Sequence, residues 1–126
     1  MFLRFVLSAV HAASNRKTGL LVAAADLRDA GALSRHHDNR VFEIRSWFIE
    51  HLQNPKCLAE ESNARALSWF KSSAKAPISQ MWELAAILES HGTHIELLKT
   101  EDPGSIIYED EWQVVAKPRR GQRLPW

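Results

Sequence analysis

The densest run of chemistry-bearing side chains in the sequence is Tyr108-Glu109-Asp110-Glu111-Trp112. Three adjacent carboxylates could hold a divalent cation, or raise one another's pKa for acid–base work. Adjacent residues of a strand point to opposite faces, so the three converge only if a turn curls them together. The favoured reading is a solvated hairpin tip that discourages edge pairing. Beyond that, docking a basic partner outranks catalysis. Residues 66–71, Ala-Leu-Ser-Trp-Phe-Lys, supply a second patch. On a helix, Leu67 and Phe70 share a buried side while Trp69 and Lys71 point elsewhere, an arrangement that resembles an interface hot spot. Burial of Trp69 under residues 55–61 is the competing reading.

His36-His37-Asp38 and His91-Gly92-Thr93-His94 contain metal-ligand types. Consecutive histidines rarely ligate one ion, and neither an HExxH pattern nor paired Cys/His spacing occurs. Both places read as helix-terminus chemistry. A composite site joining His11, His91 or His94 to a carboxylate stays open. Arg16-Lys17-Thr18-Gly19 precedes an expected helix, where backbone N–H groups and two cations could hold a phosphate. The glycine spacing of a P-loop is missing there. Cys57 has Lys56 beside it and no histidine near it, so it reads as a structural thiol. These patterns imply no cofactor, no metal and no catalytic residue, and the enzyme reading is the weaker one.

The chain has 126 residues, enough for one domain around one core. Apolar residues make up 45% and charged residues 25%, an ordinary globular mixture. A net charge of +1 favours neither nucleic acid nor an acidic membrane surface. The lone cysteine excludes an intramolecular disulfide and fits a reducing, cytoplasmic setting. No apolar run approaches the roughly 20 residues that span a bilayer. The apolar stretch 5–10 is shorter than a signal-peptide core of about 7–15 residues and reads as a strand.

The elements that position these groups follow from periodicity. Residues 2–10 alternate as a strand. Residues 12–17 read as a polar loop. Helices are expected over 20–30, ended by Gly31, and over 39–53, with Asp38 as cap or first-turn acid and Asn54-Pro55 as the stop. A third is expected over 64–74 and a fourth over 78–91, with Pro77 in its first turn, or the two form one helix kinked at Pro77. Three strands follow over 93–99, 105–108 and 112–116. The first two are joined by a type II turn at Asp102-Pro103-Gly104, where glycine supplies a positive φ. This order predicts an α+β fold. Its four-stranded, mostly antiparallel sheet combines the N-terminal strand with the C-terminal three-strand meander, and about four helices cover one face. Residues 1–118 form the domain and 119–126 a basic tail with Arg119, Arg120 and Arg123. The tail reads as solubilising rather than as a nucleic-acid contact.

Several stretches bear a further likeness. They are Leu3-Arg4-Phe5-Val6, Gly19 with helix 24–29, Trp47-Phe48, residues 66–71, His91-Gly92, residues 100–104, Ile107-Tyr108-Glu109-Asp110 and residues 113–116. Through these the chain resembles a family of small bacterial proteins of unknown function, over most of its length up to Pro118. The resemblance implies a cytoplasmic bacterial protein of one small domain and brings no activity with it. The leading expectation is a non-enzymatic protein-interaction module: an adaptor, an inhibitor or a regulatory subunit. Its expected surface is Trp69, Lys71, Tyr108, Glu109, Asp110, Glu111 and Trp112, and its expected partner is another protein. Self-association through an open sheet edge is compatible with this. A small enzyme with a composite His/carboxylate site, and a weak nucleic-acid contact through the tail, are the alternatives.

Overall fold

The computed structural model describes residues 1–11 and 16–122. Residues 12–15 of the expected loop, Arg123 and the rest of the tail to Trp126, the side chains of Val10 and His11, and that of Arg16 in the expected anion site lie outside the described residues. The chain is α+β, as expected. It runs β1 (Phe2–His11), β2 (Arg16–Gly19), α1 (Leu20–Asp29) and α2 (Arg35–His51). Two short 3-10 turns, Lys56–Ala59 and Glu61–Asn63, lead to β3 (Leu67–Lys71) and α3 (Lys75–Ser90). The last elements are β4 (Ile95–Thr100), β5 (Ser105–Glu109) and β6 (Gln113–Lys117). No helix among the described residues is long and apolar enough to cross a membrane.

The helices follow their apolar stripes. Leu20, Ala23 and Ala24 are buried on α1, and Val41, Ile44 and Phe48 on α2. On α3 the buried face runs through Met81, Leu84, Ala85 and Leu88. The α2 helix starts four residues before the expected 39. Ser34 accepts a hydrogen bond from the backbone N–H of His37, which makes it the N-cap. Asp38 is the first-turn acid of α2, the alternative to capping, and pairs with Arg28 at 2.9 Å, tying α2 to α1. Pro77 sits in the first turn of α3, where its missing N–H costs nothing.

The sheet departs from the expected four strands. Among the described residues it has six, all antiparallel, in the order β2-β1-β3-β6-β5, with β4 on β1 as well. The expected helix 64–74 is β3, so α1, α2 and α3 are the three α-helices among the described residues. Leu67 and Phe70 are spaced as on a helix, but Trp69 and Phe70 are both buried because β3 lies inside the sheet and is covered on both faces. The strand β2 is four residues long, too short to show a period of its own.

The expected meander is also rearranged. The strand β4 pairs with β1, from Phe2↔Thr100 to Leu7↔Ile95, while among the described residues β5 pairs only with β6. They occupy opposite ends of the sheet, yet four residues link them. Those residues span at most about 17 Å, whereas four strand spacings in a flat sheet cover about 19 Å sideways alone. The sheet therefore curls. The helices pack on one face, against Phe5 and Phe70. On the other face Val6, Trp69, Leu98 and Val114 form a second cluster built of strand residues alone, which the curled sheet itself encloses.

The link has its own geometric condition. Gly104 has φ +115, and a Cβ there would lie 2.2 Å from the Lys117 carbonyl oxygen. Gly104→Ala is expected to lower stability by about 2–4 kcal/mol in urea unfolding. Gly19→Ala is the contrast. Gly19 has φ −70, and its nearest neighbour would be 3.8 Å away, so its midpoint should barely move.

Candidate binding site

The site arises from how β1 shares its edges. Phe2 is matched to both Lys71 and Thr100, and Val6 to both Gly19 and Glu96. One edge of β1 therefore carries β4, and the other is divided between β3 at its start and β2 further on. Between them lies a fork. The β3 ladder stops after Leu3↔Phe70; continued, it would bring Ser68 opposite Phe5. Instead the Ser68 carbonyl accepts a hydrogen bond from Arg4 Nη1 at 3.1 Å. The arginine side chain stands in for the lost ladder bond at the point where the strands separate.

A cleft of about 400 Å³ opens at this fork. Its walls come from both sheet faces, Phe5 and Phe70 from one, Arg4 and Trp69 from the other. The start of α1 closes one side, and Phe48, Ile49 and Leu52 at the end of α2 close another. At the rim Ile49 is 80% exposed and Val22 58% exposed. Among the described lining residues Arg4 is the one charged side chain, and none is a histidine, cysteine or carboxylate. The base is fixed by Gln113, which is buried and donates from Nε2 to the Gln53 carbonyl at 2.6 Å and to Asp110 at 3.1 Å. Residues 20, 21 and 22 of α1 line the cleft, and the N-cap Gly19 offers no side chain to their backbone N–H groups. The positive end of that helix adjoins Arg4.

Of the expected surface residues, Trp69 borders the cleft as an inner-wall side chain, and Lys71 and residues 108–112 fall elsewhere. Trp69 is 1% exposed and packs in the sheet's second cluster, so it presents no external patch. It is buried because β3 is an inner strand rather than the expected helix. Lys71 pairs with Glu109 at 2.6 Å, across β6. Asp110 is occupied within the tip. It accepts from Tyr108 Oη at 2.8 Å, from the backbone N–H groups of Trp112 and Gln113, and from the Gln113 side chain. Glu111 is exposed, and Trp112 stacks on Trp47, with ring centroids 5.8 Å apart. A smaller cavity of about 210 Å³ lies between His51–Gln53 and Asp110–Trp112.

The histidines meet in a different way from the composite site envisaged. His37 Nδ1 lies 2.8 Å from His91 Nε2, so one ring nitrogen donates and the other accepts, joining the start of α2 to the end of α3. Neither His91 nor His94 lines either cavity. No group of three or more His, Cys, Asp or Glu among the described residues is placed to hold a metal ion. Of the anion site expected at residues 16–19, Lys17 is paired with Glu96 at 2.7 Å. Arg119 of the tail pairs with Asp102, and Lys117 donates to the Ser62 carbonyl. No protein family, curated protein or solved structure matches this chain.

Burial pushes the Asp110 carboxyl up, but the Tyr108 hydroxyl and the donors from Trp112 and Gln113 outweigh it and hold it below its ordinary 3.8. The same bond raises Tyr108. A depressed carboxyl contributes stability in full above 3.8 and loses it as pH falls through the folded-state value. Asp110→Asn should cost about 1–3 kcal/mol at neutral pH. Urea midpoints taken from about pH 5 down to about pH 2 should show the wild-type advantage shrinking towards acid.

Proposed function

We propose that this protein is a non-enzymatic binding module and that its site is the cleft at the fork in the sheet. The observation that carries this is the cleft's lining: among its described residues, mostly apolar walls, one arginine, and no acid–base pair or activated nucleophile. Among the described lining residues Ser68 is the one hydroxyl, and none of the others is a base. Proton transfer and covalent catalysis both need such a partner within hydrogen-bond reach. A volume of about 400 Å³ lies in the range used for small molecules. The occupant is a small molecule with an apolar body. A peptide chain would bring backbone N–H and C=O groups that need partners. The Gln113 amide and the Ser68 carbonyl are already engaged within the wall.

A second reading, contact with another protein, is supported by the outer edge of the sheet. Ile106 and Ile107 are exposed on β5, with Glu109 and Glu111 close by in the chain. Charge complementarity there points to a partner with a basic surface.

The first reading is tested with Nile red, a neutral apolar dye whose emission rises in a dry site. The wild type is expected to bind it. Ile49→Asp and Val22→Asp, both on the exposed rim, should weaken binding about tenfold each without moving the unfolding midpoint. A wild-type Kd weaker than about 1 mM would remove the small-molecule reading.

A further inference from the structure

We infer that the outer edge of β5 pairs antiparallel with β5 of a second copy of this chain across a two-fold axis; this rests on that edge being a contact site and is independent of the cleft. Among the described residues β5 is bonded to β6 alone, so one row of its backbone N–H and C=O groups has no strand beside it. The other outer strands carry charge within them, Lys17 on β2 and Glu96 and Lys99 on β4, which discourages edge pairing. The middle of β5 is Ile106-Ile107-Tyr108, with no charge. Its ladder to β6 skips Ile107, and such a bulge breaks the alternation of faces. Ile106 and Ile107 are 45% and 39% exposed although they are neighbours.

The two ends of this edge differ in sign. Past the end of β5, Glu109 is balanced by Lys71, which leaves Asp110 and exposed Glu111 as net negative charge. Before its start, Glu101 is balanced by the N-terminal amine and Asp102 by Arg119. Asp102 also accepts from Gln122 at its carbonyl, so both ends of the turn 119–122 are tied there and exposed Arg120 is held near the start of the strand. Lys117, opposite Ser105, adds a second positive charge. Parallel pairing would set like ends together. Antiparallel pairing sets each acidic end on the basic end of the other copy. With Ile107 on the axis, Glu109 falls opposite Ser105, Glu111 falls opposite Pro103, and the isoleucines meet at the centre. The contact uses up one edge of each copy, so it closes at a dimer. Five residues interrupted by a bulge make it a small, reversible contact.

The test is sedimentation equilibrium of the full chain up to about 300 μM. The wild type is expected to pass from monomer to dimer with a Kd of about 10–100 μM, several-fold weaker at high salt. Ile107→Lys puts two like charges on the axis and should leave a monomer with an unchanged unfolding midpoint. Glu111→Arg and Arg120→Glu should each weaken the dimer about tenfold. Mixed together, those two variants place opposite charges at both contacts of a heterodimer, which should form at wild-type strength. That recovery requires the acidic end of one copy to meet the basic end of the other. A wild type that stays monomeric throughout overturns the self-pairing. A dimer indifferent to Ile107→Lys or to the charge reversals overturns it as well, because its interface lies elsewhere. Growth beyond a dimer overturns the two-fold arrangement in favour of open-ended edge pairing. Decalysine separates the broader reading: a monomeric wild type that binds it, and loses it in Glu111→Arg, keeps the edge as a contact for a different basic partner. If the monomer binds no decalysine, the edge contact falls too.

Discussion

A strand has two edges, and β1 must serve three partners. That constraint organises the molecule. The strand β4 takes the whole of one edge from Phe2 to Leu7, so β2 and β3 are left to divide the other. Two strands cannot hydrogen-bond to one edge at the same residues, so they part. Arg4 stands where they do, and its side chain supplies Ser68 with the bond the backbone no longer gives. The cleft follows from the parting of the strands, and its charge follows from the residue placed there.

The rest of the structure is arranged around this opening. The helices cover Phe5 and Phe70 but leave the fork lined rather than filled, with the end of α2 and the start of α1 on either side. Gln113 holds the backbone at the end of α2 against β6. At the far end of the sheet, Asp110 gathers Tyr108, Trp112 and Gln113, which makes the acidic tip rigid. Arg40 works similarly between helices. Its bonds to Glu83 and Glu43 raise it, and the Glu83 carboxyl falls below its ordinary value through the bond to Arg40.

Sequence periodicity located what is locally determined. The stripes of α1 and α3, the positive φ of Gly31 and Gly104, and strands β1, β4, β5 and β6 all follow from local rules. What it missed is set by pairing. Asp102-Pro103-Gly104 specifies a turn but not which strand each neighbour joins. Residues 67–71 hide their strand character because both faces are buried, which removes the alternation. The cleft was invisible for the same reason. Arg4 reads as an ordinary polar residue on the wet face of a strand, and the residues around it come from positions 20–22, 48–52 and 68–70. The capping role of Asp110 did leave a trace, since an Asp two and three residues ahead of free N–H groups is a turn signal.

The pairing of β1 with β4 has a consequence for how the chain is made. Phe2 and Thr100 are matched across nearly the whole domain, and β3 and β6 are joined over more than forty residues. On a ribosome adding about 5–20 residues per second, β1 waits on the order of 5–20 s for β4 to be synthesised. During that interval Phe5, Val6 and Leu7 have no sheet to enter, though β2 can already pair with Val6. The short strand beside the fork is the one neighbour of β1 made before that wait, and its register with β1 begins at Val6, so Phe5 has no partner in it.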